Sequence, residues 1–468
     1  MKRKLLVLLP LVMAGILIAV ATASGGERLA FNHDFGTRAA LDMGDEAFGA
    51  GSFSVEKAVA EKESAGTTER ALDRAMRRLE ERLASDRTDY EARLLRGLIH
   101  FRRGEHNAAL ADMDLLVEKA PEFHLAHLVR GDLLLSRSKA VSDIGYNGII
   151  EGLGEKEGGD GLSRTALRKE AQRRIEGYLD SLYADRIPGA LITLADNVGT
   201  AILVDKSRNR LYLFENTGSD QPPRRIRDYY VSTGQAEGNK YVEGDLRTPE
   251  GVYFVQNYIS DRQLPDLYGR GAFTLDYPNA LDRRKGKTGY GIWLHGTESG
   301  YYSRPPLDSE GCVVLPNLDL EAIKPFIEPG RTPVIIAERL EWITEEAWEN
   351  RRSELMATLE GWRYDWESMD VERYLARYDD EFWSPSRERA QWDEYKQAVM
   401  AGKTEQDIRL EDITLLGYPP EASGGERLVV AQFRQYYDSN NYRGTMDKRL
   451  YLRRDYDRWN ILFEGAAR

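Results

Sequence analysis

The apolar pattern of this chain switches from helical to strand period near Gly199, and that change limits the folds open to it. Upstream, Leu72, Met76, Leu79 and Leu83 recur at helical spacing behind Thr67-Thr68-Glu69, residues suited to opening a helix. A further amphipathic helix is expected over residues 166–185, with Leu167, Ala171, Ile175, Tyr178 and Leu182 on one face and Pro188-Gly189 closing it. Downstream, runs rich in Val, Ile, Leu, Tyr and Phe read as strands at residues 201–205, 209–215, 228–232, 251–258, 292–295, 312–315 and 333–337. Ser207-Arg208-Asn209 reads as the turn of a hairpin, and residues 318–327 read as a helix capped by Asn317. A charged helix over residues 339–352 leads into an α+β segment. There Trp362, Trp366, Met369 and Tyr374 keep helical spacing, and residues 428–437, 448–452 and 459–463 alternate like antiparallel strands. At 468 residues, about three domains are expected.

The helical part contains a repeat. Tyr90, Ala92, Leu94, Arg96 and Gly97 return as His124, Ala126, Leu128, Arg130 and Gly131, 34 residues later, after Pro121. This period and its small residues resemble tetratricopeptide repeats, which implies helix pairs able to bind a protein partner segment or a neighbouring domain. His124 and His127 have no carboxylate or cysteine spacing around them that would make a metal site, and helical packing accounts for them. Residues 136–165 are glycine-rich and read as a linker.

At the N-terminus, Lys2, Arg3 and Lys4 precede an apolar run from residue 5 to residue 20, and Ala21-Thr22-Ala23 follows. This is the layout of a secretory signal peptide, or of an anchor if the segment is retained, and it places the rest of the chain outside the cytoplasm. The run has no cysteine behind it, so it is not a lipoprotein signal. The net charge of −12 argues against a broad nucleic-acid-binding surface.

Cys312 is the only cysteine, and His295, 17 residues before it, is the only histidine after His127. A lone cysteine in an exported chain has no internal disulfide partner; it is a buried hydrophobe, an intermolecular bridge or a working thiol. A thiol nucleophile needs a base, and His295 is of the right type. Gly311 would let a carbonyl group approach the sulfur and offers a backbone N–H, with that of Cys312, to an oxyanion. The Gly296 carbonyl is available to orient the imidazole. A buried strand cysteine and a satisfied core histidine are the alternative reading of the same two residues.

The surrounding motifs separate the two readings. His295-Gly296-Thr297, Ser309-Glu310-Gly311-Cys312, Thr248-Pro249-Glu250-Gly251 and Tyr277-Pro278-Asn279 occur in the order found in the L,D-transpeptidase (YkuD-type) family, which residues 199–338 resemble. The resemblance implies an all-β catalytic sandwich. Within it Cys312 is the nucleophile, His295 the general base and acid, Gly296 the residue orienting the histidine and Gly311 the oxyanion glycine. It also implies substrate-binding roles for Ser309, Thr297, Tyr277 and Arg304, with no metal and no cofactor. The sequence departs from the common motif at Glu310 and Val314, where the family usually has His and Arg. Arg304, Arg283 and Arg284 are candidates for the missing guanidinium.

The aromatic and charged pattern over residues 351–468 resembles the NTF2-like domain found behind some of these catalytic domains, including those of cell-shape L,D-carboxypeptidases. The expected organisation is a TPR-like helical domain at residues 66–187, the catalytic domain at 199–338 and an NTF2-like domain at 351–468. The implied activity is peptidoglycan L,D-transpeptidation on stem peptides, which forms 3-3 links and releases D-alanine in the periplasm or at the inner membrane. The alternatives are an L,D-carboxypeptidase that trims tetrapeptides and, in another class, a non-catalytic cell-wall scaffold.

Overall fold

The computed structural model describes residues 65–137, 163–181, 186–423, 425 and 427–467. The expected export segment at residues 1–23, and most of the glycine-rich linker, lie outside the described residues. Among those described, no helix is long and apolar enough to cross a membrane.

The helical domain contains α1 (Ala65–Ser85), α2 (Tyr90–Arg102), α3 (His106–Lys119), α4 (His124–Ser136) and α5 (Arg164–Ser181). Asp89 caps α2 by accepting the Ala92 N–H at 2.9 Å. The repeat offset equals the distance between the starts of α2 and α4. Its two glycines differ, however. A Cβ on Gly97 would collide with Met113 of α3, whereas one on Gly131 would meet nothing within 4 Å. Only Gly97 is there for a close helix crossing.

The central region contains β1 (Ile187–Pro188), β2 (Leu191–Thr193), β3 (Thr200–Asp205), β4 (Arg210–Glu215), β5 (Arg224–Tyr230), β6 (Thr233–Gly234), β7 (Gly251–Ile259) and β8 (Ala272–Leu275). After α6 (Ala280–Arg284) come β9 (Trp293–His295), β10 (Leu307–Ser309), β11 (Val313–Val314), α7 (Asn317–Ile323) and β12 (Pro333–Ala337). Eight strands pair in the order β11-β9-β8-β7-β12-β3-β4-β5. Ile202, Val204, Leu211 and Leu213 from one end of this sheet share a core with Phe273, Leu294, Val313 and Leu315 from the other. One continuous sheet thus folds over and packs against itself. The turn after β3 fits the sequence, with Asn209 at φ 50°, a conformation Asn tolerates.

The C-terminal region begins with β13 (Trp342–Ile343) and α8 (Glu345–Glu367), followed by α9 (Val371–Leu375), β14 (Tyr378–Trp383), α10 (Arg389–Ala401), β15 (Gln406–Gly417), β16 (Leu428–Ser439), β17 (Tyr442–Asp455) and β18 (Arg458–Ala466). The expected charged connector and the tryptophan helix are one element, α8, opened by Thr344 as cap. Leu355, Leu359, Trp362 and Trp366 of α8 pack with Trp392 of α10 on one face of the sheet. The sheet order is β14-β18-β17-β16-β15-β2, so β2, from the start of the central region, completes the C-terminal sheet.

Strand β16 shows how the parts join. Val429, Ala431 and Phe433 point into the C-terminal core, while Leu428 and Val430 join Leu203, Phe214 and Phe254 of the central sheet. Alternate side chains serve two cores, so the strand is apolar on both faces.

Candidate active site

The two chemistry-bearing residues are brought together by strand pairing. β11 runs parallel to β9 with Val313 opposite Leu294 and Val314 opposite His295. One step back, Cys312 lies beside Trp293. Leu294 and Val313 face the core, so His295 and Cys312 take the opposite face, two strand steps apart, or about 7 Å along the strand.

His295 is buried, and its Nδ1 lies 2.7 Å from the Gly296 carbonyl oxygen. A carbonyl only accepts, so Nδ1 carries the proton and Nε2 keeps its lone pair. Burial lowers the imidazole pKa to about 4, against the opposing pull of the Gly296 hydrogen bond. The imidazole and the Tyr268 ring pack in a T-shaped arrangement, with centroids 5.0 Å apart.

The half-buried Cys312 donates from Sγ to the Gly291 carbonyl at 3.4 Å. Burial pushes its thiol up to about 11; Glu310 adds to this, while the Trp293 N–H, Arg304 and Lys240 oppose it. At neutral pH the pair is therefore a thiol and a neutral imidazole. Glu310 is exposed, and its effect is smaller than that of burial.

The loop before Cys312 departs from one expectation. The Gly311 N–H donates to Ser309 Oγ at 3.1 Å, and that hydroxyl donates to the Cys312 carbonyl at 2.6 Å. The Gly311 N–H is thus occupied in this loop and is not aimed at an oxyanion. Gly311 is needed for another reason. It sits at φ 126°, and a Cβ there would lie 2.7 Å from the Arg247 carbonyl oxygen. This contact also explains the T-P-E-G segment. Thr248 Oγ1 accepts the Gly234 N–H at 2.8 Å, and Gly234 pairs with Ser309, so the segment forms the wall behind the cysteine loop.

The residues expected to bind substrate are mostly engaged within the protein. Ser309 holds the cysteine loop as described. Thr297 is buried and donates to the carbonyls of Tyr301 and Tyr302 at 3.1 and 3.3 Å. Tyr277 is buried in the sheet core and donates to the Thr288 carbonyl at 3.1 Å. Arg304 is paired with Glu298 at 2.7 Å and reaches the Leu267 carbonyl at 3.3 Å. Its charge acts on both His295 and Cys312. Arg284 pairs with Glu388 of the C-terminal region and Arg283 bonds the Pro278 carbonyl. Val314 is buried and bridges Ser232.

Two organising roles escaped the sequence reading, that of Asn317, expected only as a helix cap, and that of Tyr268. Asn317 is the first residue of α7, and Pro316 occupies the cap position. The Asn317 side chain accepts the Arg270 N–H at 2.9 Å and donates to the Thr297 carbonyl at 2.7 Å, tying together the two loops around His295. Tyr268, which packs on His295 and Trp293, closes a single 3-10 turn (Asp266–Tyr268) with no motif to mark it.

Residues 199–336 match the L,D-transpeptidase catalytic domain family, YkuD. Residues 354–465 match the Cds6 C-terminal NTF2-like domain. Among solved structures, Bd1075 of Bdellovibrio bacteriovorus is 28% identical with a TM-score of 0.53, over 60% of this chain and 97% of that one. The helical cell shape determining protein Pgp2 of Campylobacter jejuni is 28% identical with a TM-score of 0.51, over 61% of this chain and 96% of that one. No curated protein matches the chain.

Proposed function

From a chain that carries a YkuD-type L,D-transpeptidase catalytic domain with an NTF2-like domain behind it, we propose a cysteine acyl-transferase acting on peptidoglycan stem peptides outside the cytoplasm. The observation that carries the reading is the β9–β11 register, which sets Cys312 and His295 on one face with the histidine tautomer fixed by Gly296. In the reaction the Cys312 thiol turns from the Gly291 carbonyl toward His295 Nε2, which takes its proton as sulfur attacks the carbonyl of the L-centre of diaminopimelate. A C–S bond forms and the carbonyl π pair moves to oxygen. The Cys312 N–H is the backbone donor we assign to that oxyanion, because the Gly311 N–H is held by Ser309. The C–N bond to D-alanine then breaks, and His295 returns the proton to the leaving amine.

Water as the second acceptor gives a tripeptide and a regenerated thiol, an L,D-carboxypeptidase. The likeness to a helical cell shape determining protein at 28% identity supports this acceptor. An amine of a second stem gives a 3-3 link, and the family description supports that reading. Muropeptide analysis of tetrapeptide sacculi incubated with the purified protein separates them. Tripeptides without new dimers are expected, new 3-3 dimers would move the assignment to transpeptidase, and unchanged sacculi, or identical products from Cys312→Ala, would refute the mechanism.

A further inference from the structure

The loop joining His295 to Cys312 is not supported by the catalytic sheet alone. Its middle is inserted into the helical domain, which lies outside both family matches. Tyr302 is 6% exposed and belongs to the helical core. Its ring stacks on Phe123 with centroids 4.1 Å apart, and Tyr90 stands 6.0 Å away. Its N–H donates to the Glu122 carbonyl at 3.2 Å. The next residue, Ser303, donates to Glu170 at 2.6 Å, and Arg174 holds that carboxylate from 2.9 Å.

Two lines of contact run from this anchor to the imidazole. Thr297 donates to the carbonyls of Tyr301 and Tyr302 and follows Gly296, whose carbonyl fixes Nδ1 of His295. Arg304 reaches the Leu267 carbonyl, and the neighbouring Tyr268 ring covers the imidazole.

We propose that the helical domain is a positioning element of the catalytic loop, with Tyr302 the positioning residue through which it holds His295 in its buried, singly protonated orientation. The helical domain then has the catalytic loop of its own chain as one ligand. Loss of the ring contact frees residues 297–304, wets the imidazole and spoils its alignment with the thiol, while Cys312 itself stays in place. The inference rests on the Cys312–His295 chemistry proposed above.

The test is single-turnover acylation of the full-length protein by a carbapenem, followed by intact mass across the pH range, on variants whose folding is checked by near-UV circular dichroism. Tyr302→Ala is expected to acylate about ten- to a hundredfold more slowly at neutral pH, the scale of an ångström-size misplacement. Its acid limb should move upward from about 4 toward the ordinary histidine range, because the imidazole is no longer dry. Tyr302→Phe keeps the ring and should restore both rate and limb. Phe123→Leu weakens the same stack from the helical side and should shift the limb in the same direction, and it decides the matter if Tyr302→Ala does not fold. A folded Tyr302→Ala, or a Phe123→Leu, with the wild-type rate and acid limb would overturn the inference, as would a Tyr302→Phe as impaired as the alanine variant. A wild-type protein that does not acylate, or a Cys312→Ser variant that does, would instead overturn the underlying chemistry.

Discussion

The thiol of Cys312 and the imidazole of His295 both owe their resting protonation to burial, and the two effects act in the same sense. A thiol pushed up to about 11 stays protonated at neutral pH, and an imidazole lowered to about 4 stays neutral. The pair is not a preformed thiolate–imidazolium, so proton transfer must accompany attack. Acylation should therefore be flat through neutral pH and fail only as His295 protonates near pH 4. Alkylation by iodoacetamide, which needs free thiolate, should be slow at pH 7 and climb steeply toward pH 11. Rapid alkylation at neutral pH would contradict this balance. These two residues were legible in the sequence because their chemical types are scarce and their flanking motifs are specific. The assignments around them were less legible, since a hydroxyl's role depends on partners that only the fold supplies. Ser309, Thr297 and Tyr277 each donate to a backbone carbonyl, and Gly311 gives its N–H to Ser309.

At the scale of elements, long periodic segments were read well and short ones poorly. The helix over residues 166–185 corresponds to α5, and strands β3, β4, β7 and β12 lie close to their expected ranges. Strands β6, β8 and β10 went unread, because two to four residues cannot display an alternation and, unlike β9 and β11, they carry no cluster of Val, Ile or Leu to mark them. Strand β15 was missed because its first half mixes exposed polar residues with isolated apolar ones. Asn317 looked like a cap because its type suits one, but Pro316 holds that position and the amide serves the His295 loop. The helical repeat allows a direct comparison of its two glycines. Gly97→Val forces a branched side chain against Met113 and should destabilise the protein by about 1–3 kcal/mol. Gly131→Ala has open space and should stabilise α4 by up to about 1 kcal/mol. Thermal unfolding of the two variants reads the difference, and equal effects would mean that the helices do not cross at Gly97.

Across the whole molecule, the three expected regions are recognisable but not separable at their expected borders. β2 completes the C-terminal sheet, the central and C-terminal sheets share an apolar core, and Tyr302 joins the helical core. The helical and catalytic regions are further joined by buried charge. Glu91 of α2 accepts from Arg174 of α5 at 3.1 Å and from Arg210 of β4 at 2.6 Å, and Arg210 also pairs with Asp228 of β5. Pairings across regions are invisible to a reading that proceeds segment by segment. Glu91→Ala would remove the carboxylate that two buried guanidinium groups share, leaving Arg174 only Glu170 and Arg210 only Asp228, and should cost up to about 3 kcal/mol, measured by denaturant unfolding. Burial works against the charged forms of Glu91 and Asp228, but the Arg210 guanidinium, joined by Arg174 at Glu91 and Arg82 at both, holds the two carboxyls below their ordinary values. Their folded values lie below their unfolded ones. The stability they supply is thus complete above the ordinary carboxylate range and is lost only as pH falls through the depressed values. Docking of the helical region should accordingly survive mild acid.

The central claim is that Cys312 carries the acyl group of a stem peptide, and the most direct measurement is acid-quenched intact mass with peptide mapping after brief exposure to a tetrapeptide muropeptide. The account predicts a thioester adduct on Cys312, equal to the donor less D-alanine, that is absent from Cys312→Ala. Product formation by Cys312→Ala, or an adduct on any other residue, would contradict it.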